Sequence, residues 1–256
     1  MILLTRRPGN MAAAELTFMH RDPIDAALAE LQHTAYRTAL AAVTLAQIDL
    51  PALDGHADAT FVEDTLLAFP EIFVLCRPGA VSRQGEVDSI AAALPKDRPL
   101  VRLAAPVTID GGDVLRIGKT VYVGLSTRTN SAAITALTET LQPSGYEVVA
   151  VNVPGALHLK TAVTSPAPGL VVINRNWVDA DVFAGFEQIH VSADEPFSGN
   201  TLPVGDRVFV QGLHPRTAEQ LARRGIAVQL LDISEFAKAE AGLTCMSVVI
   251  PESSVR

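Results

Sequence analysis

Cysteine is scarce: Cys76 and Cys245 are the only two in 256 residues. Two thiols do not make a disulfide scaffold, so a reducing cytoplasm is the expected compartment. Long apolar runs are missing as well. No stretch reaches the roughly 20 residues needed to cross a bilayer. The apolar run of the opening MILLTRRPGN is too short for a signal peptide. Basic residues are outnumbered, 20 Lys and Arg against 28 Asp and Glu, for a formal net charge of −8. That balance argues against general binding of nucleic acid or an anionic membrane, and it leaves room for a cationic substrate. No Cys/His cluster has zinc-like spacing, so neither a metal nor another cofactor is expected. With 19% charged and 48% hydrophobic residues, most of the chain can pack a core.

The residues present read as short strands and helices separated by sharp breaks. Met1–Thr5 is a strand stopped by Arg6-Arg7-Pro8-Gly9, and 10–21 is a loop. Asp22-Pro23 is a helix start, Asp at the N-cap and Pro at N1. That helix should run to about Ala42, with Ala27, Leu28, Leu31, Tyr36 and Leu40 near one face. Strands follow at Val43–Asp49, Thr65–Phe69 and Ile72–Cys76, then a helix over 82–94 and a strand over 100–103. Val114–Ile117 and Thr120–Leu125 form a hairpin across Gly118-Lys119. A helix is expected over 130–141 and a strand over 147–153. Next comes a strand pair around the break in SPAPG, then an ambiguous stretch, 176–186, and a strand over 188–192. The chain closes with a strand pair in GNTLPVGDRVFVQ, helices over 215–224 and 233–240 around a strand at 227–231, and LTCMSVVI.

A unit recurs: strand, tight break, strand, helix, strand. It begins near Asp64, Asp113, His158 and Asn200, at a spacing of roughly 40 to 50 residues, the range of propeller-like arrays. A fifth start at Cys245 has only one strand after it. Its return strand is at the other terminus, where Ile2–Gly9 matches Ile72–Gly79 in kind, Arg-Pro-Gly included. The expected fold is therefore a closed five-unit α/β ring sealed by its N- and C-terminal strands, which leaves no open seam. The residues just before each first strand are Glu63-Asp64, Asp110–Asp113, His158, Asn200 and Cys245. In a ring they converge on the axis. A thiol facing an imidazole among carboxylates is an arrangement for nucleophilic catalysis.

The segments FVED, IDGGDV, VGLSTRTN, LHLKT and LTCMSV resemble dimethylarginine dimethylaminohydrolase, of the guanidino-group-modifying (amidinotransferase) superfamily. The resemblance spans nearly the whole chain in order. It implies a five-bladed ββαβ propeller, with 1–256 as one catalytic domain. By motif, Cys245 resembles the nucleophile, His158 the general acid/base, and Asp110 the acid that orients the His. Asp64, with Glu63 beside it, resembles the clamp on the guanidinium. Asp58 resembles a contact to the substrate α-amino group, and Arg83 and Arg128 the pair on its α-carboxylate. Leu16 resembles a backbone carbonyl donated from a flap. Two positions depart from the pattern: Ser198-Gly199-Asn200 stands for Ala-Ala-Asn, and Glu240 for Asp.

The resemblance implies hydrolysis of methylated arginine to citrulline through a Cys-bound thiouronium. The partner is then a small guanidino molecule, and a homodimer is the assembly considered. An arginine deiminase-like hydrolase, an amidinotransferase, a guanidino-binding protein without turnover and a Cys protease are the alternatives. Lys160 stands where deiminases carry Asp, and a carboxylate-rich pocket suits a cation better than a peptide. Cys76, inside IFVLC, reads as core. His20, His33, His56, His190 and His214 read as packing or surface residues. Asp113 reads as a turn cap, and Asn200 as a backbone-fixing amide.

Overall fold

A computed structural model describes residues 1–255. Fifteen strands form five separate three-stranded sheets. Strand β1 (Ile2–Arg6) runs parallel to β2 (Ala46–Leu50), and helix α1 (Ala26–Ala41) crosses between them. Strands β3 (Leu66–Ala68), β4 (Phe73–Leu75) and β5 (Leu100–Arg102) form the next sheet. After it come β6 (Val114–Ile117), β7 (Thr120–Leu125) and β8 (Glu147–Asn152). The fourth holds β9 (Val163–Ala167), β10 (Leu170–Ile173) and β11 (Glu187–His190). The fifth holds β12 (Leu202–Val204), β13 (Arg207–Gln211) and β14 (Val228–Leu231). In each of these four, the first pair is antiparallel and the second parallel. The last strand, β15 (Ser247–Ile250), pairs antiparallel with β1 in the register Ile2↔Ile250 to Thr5↔Ser247. The two ends of the chain thus complete one module.

The middle strands explain the sequence pattern. Phe73–Leu75 and Leu170–Ile173 are buried throughout, so they read as unbroken apolar runs. The tight breaks join antiparallel pairs, whereas each parallel return needs a longer crossover. Four crossovers are helical: α1, α2 (Val87–Ala93), α3 (Ser131–Leu141) and the helix Pro215–Ala222, the second preceded by a 3-10 run over Val81–Glu86. The ambiguous 176–186 stretch provides only a 3-10 turn, Ala180–Phe183.

Helix α1 departs from its expected start and face. Its N-cap is Asp25, whose carboxylate accepts from the Ala27 and Leu28 amides. The buried stripe is Ala29, Gln32, His33, Tyr36 and Leu40, while Leu28 and Leu31 are exposed. Gln32 is the reason. It reaches Asp232 and Ser234, so a polar residue serves the packing face and turns the stripe by one position. The 233–240 helix is likewise shorter than expected, Ser234–Ala237.

No strand ladder links one module to the next among the described residues. Hydrogen bonds near the axis do so instead. Gly112 N–H donates to Asp64, and Leu159 N–H to Asp113. Asn200 Nδ2 donates to the Lys160 carbonyl and to Thr244 Oγ1. Thr244 Oγ1 donates to Glu63, which closes the circuit. The inner strands of all five modules enclose an axial cavity of about 260 Å³ with Glu63, Lys160 and Thr244 at one end. The fold is a five-module α/β propeller, as the repeat implied. No helix among the described residues is long and apolar enough to cross a membrane.

Candidate active site

Asp64, Asp110, His158 and Cys245 each sit on or at a short turn that leads into an inner strand. Asp64 lies in the 3-10 turn Val62–Thr65, before β3. Asp110 caps the turn Gly111–Asp113, before β6. His158 is the N-cap of the one-turn helix α4 (Leu159–Ala162), before β9. Cys245 is in the turn Thr244–Met246, before β15. Four such turns around one axis bring residues far apart in sequence to one pole.

His158 is held between acids. Its Nε2 is 3.0 Å from Asp110 Oδ2, and its Nδ1 is 3.9 Å from Asp64 Oδ1. The Asp110 carboxylate is fixed on its other side by the Gly79 amide at 2.8 Å. Gly79 ends the Arg-Pro-Gly turn, and a Cβ there would stand 2.4 Å from the Arg128 carbonyl. Gly112 is equally constrained: a Cβ would meet His158 Nδ1 at 2.6 Å and Asp64 Oδ1 at 2.9 Å. The Gly pair of DGGD therefore serves close approach, which no side chain allows.

Burial alone would lower the His158 pKa. The charge of Asp64, the hydrogen bond to Asp110 and the charge of Asp113 outweigh it, and the pKa rises to about 9. The ring is an imidazolium at neutral pH. The Cys245 pKa is shifted up as well, which for a thiol favours the neutral form. Burial and the negative charges of Glu63 and Asp64 push its thiol up, against the Gly242 N–H at 3.3 Å from Sγ. The resting pair is therefore a thiol and an imidazolium. Burial pushes Asp64 up, but His158 and Arg83 hold it below its usual value, so it stays ionised.

Asp64, Asp110 and His158 each offer a ligand atom, all within 4.8 Å of one another, a spacing a metal could bridge. The donor set does not suit one. An imidazolium has no lone pair for a metal, and Asp64 Oδ1 already accepts from Gly112.

Asp58, Asp64, Arg83, Asp110, Arg128, His158 and Cys245 border one partly open space of about 30 Å³. Three of the expected contacts are placed differently. Glu63 is turned to the axial cavity, on the far side, where it pairs with Lys160 at 2.5 Å and accepts from Thr244. Burial raises its pKa against the pull of Lys160. Arg83 is buried, with Nη1 2.5 Å from Asp64 and Nη2 2.9 Å from Glu86. It also donates to the Asp58 and Phe61 carbonyls, which leaves one Nη1 hydrogen for anything else. Its sequence context, a polar run before a helix, gave no sign of these acceptors. Leu16 is half-buried in the 10–21 loop and does not border the space.

Several supporting residues have no motif of their own. Tyr36 OH donates to the Leu243 carbonyl at 2.8 Å and shares a hydrogen bond with Ser247, so α1 anchors the Cys245 turn from behind. Asn200 Oδ1 accepts from Thr244 N–H and fixes the same turn from the next module. Glu240 has φ +61° and accepts from the amides of Thr17, Phe18 and Met19. It ties down the 10–21 loop, whose Glu15 borders the same space. The only signal of Glu240 in the sequence is Glu where the family pattern has Asp.

The arginine deiminase family model matches residues 101–196. The N(G),N(G)-dimethylarginine dimethylaminohydrolase of Streptomyces coelicolor is 37% identical over 97% of this chain and 96% of its own. The Pseudomonas aeruginosa enzyme, solved as a Cys-to-Ser mutant with citrulline, superposes with TM-score 0.92 at 30% identity, covering 96% of this chain and 98% of its own. A dimethylarginine dimethylaminohydrolase solved as an adduct with S-methyl-L-thiocitrulline gives TM-score 0.92 at 31% identity over 96% and 98%. This chain belongs to the dimethylarginine dimethylaminohydrolase family.

Proposed function

We propose that the protein hydrolyses Nω-methylated L-arginine to citrulline and the methylamine, with the whole chain acting as one catalytic unit. The observation that carries this reading is the opposition of Cys245 to an imidazolium, His158, beside an ionised Asp64. A guanidinium carbon resists attack because its charge is delocalised. Turnover needs a strong nucleophile, a carboxylate to hold the cation and a proton for the leaving amine.

In the proposed sequence, Asp64 receives the guanidinium through charge-assisted hydrogen bonds. The cation offsets the acids that raise the Cys245 pKa, so substrate binding itself favours the thiolate, and the thiol proton leaves to solvent, since His158 already carries one. Sγ attacks the guanidino carbon. His158 gives its proton to the methylated nitrogen, and the C–N bond breaks to release dimethylamine. A thiouronium remains on Cys245. His158, now neutral, takes a proton from water as it attacks the same carbon. The C–S bond breaks, citrulline departs, and the thiol is restored. Asp110 keeps the ring oriented throughout, since Nε2 is its partner and Nδ1 remains for proton exchange. No metal enters any step.

At the other pole, Asp58 and Arg128 have the charges to bind an α-ammonium and an α-carboxylate. The partner class is a small guanidino amino acid. The arginine deiminase match over 101–196 keeps unmethylated arginine among the substrates to assay. The test is citrulline release from asymmetric dimethylarginine, monomethylarginine and arginine. The methylated substrates should yield equal amounts of citrulline and amine. No citrulline from any of the three would defeat the proposal.

A further inference from the structure

The lid formed by the 10–21 loop occupies the pole of the site opposite Cys245 in a specific way. Glu15 N–H donates to Asp58 Oδ2 at 3.2 Å. The Glu15 carboxylate meets Arg128 Nη1 at 3.4 Å and accepts from Ser82 Oγ. One residue therefore presents an N–H to the acid and a carboxylate to the arginine. A free α-amino acid would offer the same two groups to the same two partners. Arg128 Nη2 also reaches Thr17 Oγ1 at 3.2 Å, so its fork is taken up by the lid. Glu240, on the Cys245 side, accepts from the amides of Thr17, Phe18 and Met19 and keeps Glu15 in register. Glu15, Asp58 and Arg128 border the same space as Cys245 and His158, so these contacts stand where a ligand would enter.

We infer that Glu15 is a built-in competitor of the substrate's amino-acid head group, and so a specificity-determining residue; this rests on Asp58 and Arg128 being the head-group subsite proposed above. A ligand with both an α-ammonium and an α-carboxylate can replace both Glu15 contacts at once, and the lid then moves without leaving Asp58 and Arg128 unpaired. A guanidino or ureido compound without that head group has no such exchange to offer. The lid filters by head group before the chemistry begins. The specificity is set by a competing contact as well as by an attractive one. The Glu15–Arg128 pair is partly exposed, with 43% of the Glu15 side chain open to solvent, so the competition is modest.

The test is calorimetric binding to the whole protein, wild type against Glu15→Gln and Glu15→Ala. The probes are L-citrulline and N-butylurea, the same ureido chain without the head group. Neither probe is turned over, so the readout does not depend on the catalytic reading. Citrulline should bind both variants about two- to five-fold more tightly than wild type, the range expected for loss of an exposed ion pair. Butylurea should bind all three alike. Weaker or unchanged citrulline binding in the variants would overturn the inference, because Glu15 would then be a ligand contact or a bystander. An equal gain for butylurea would overturn it too, since that reports a looser lid without head-group competition.

Discussion

At the scale of single residues, His158 and Cys245 both have raised pKa values, which leave the imidazole charged and the thiol neutral at rest. His158 should titrate near pH 9 in the folded protein, read by NMR of labelled histidine. A titration near its ordinary value would remove the imidazolium from the resting site. The Cys245 thiol should alkylate slowly at neutral pH, and a guanidinium ligand that leaves the thiol accessible should move its titration to lower pH. Cys245→Ser should abolish citrulline release while citrulline still binds. These residues were legible because each stands at the same place in a repeat, before an inner strand. Arg83 and Glu63 were less so. Both lie in motif-like contexts, yet their direction is set by acceptors from distant segments: Glu86 and two carbonyls for Arg83, Lys160 and Thr244 for Glu63. A sequence shows a charged residue; it does not show which neighbour the fold will give it.

At the scale of elements, the turns before the inner strands matter more than the strands. Asn200→Ala would leave the Thr244 amide and the Lys160 carbonyl without their partner, at a cost of about 1–3 kcal/mol for each buried group left unsatisfied. The same change should lower kcat more than it raises KM, because it loosens the Cys245 turn and touches no ligand. A comparable fall for Asn200→Asp, which keeps the acceptor for Thr244 N–H, would argue that this acceptor is not what fixes the turn. The lid is the second element. Glu240→Ala removes the acceptor for three consecutive amides, so proteolysis within 10–21 should accelerate. Helix α1 shows why element boundaries were misjudged. Asp22-Pro23 has the composition of a helix start, but Asp25 makes the cap, and Gln32 rather than Leu31 faces the neighbouring module. Local propensity placed the helix, and tertiary contacts chose its face.

At the scale of the whole molecule, the ring makes the site dependent on every module. The repeat spacing and the matched Arg-Pro-Gly turns were enough to predict five modules and the shared terminal one. The circuit of side-chain bonds that joins separate sheets had no such signature. Stability should follow the charge of His158. Its folded pKa, about 9, lies above the ordinary 6.5, so its contribution is full below pH 6.5 and lost as pH rises through 9. The stability gap between wild type and His158→Asn, on the order of 3 kcal/mol at its widest, should therefore shrink over that window. A gap that does not change with pH would contradict it. On the proposed mechanism, the ring assembles a guanidino hydrolase whose nucleophile is Cys245. The direct measurement is peptide mass spectrometry of protein acid-quenched during turnover of asymmetric dimethylarginine. The expected result is an adduct on the peptide bearing Cys245, with the mass of the substrate less dimethylamine. Turnover with the adduct on Cys76, or turnover that persists in Cys245→Ser, would contradict it.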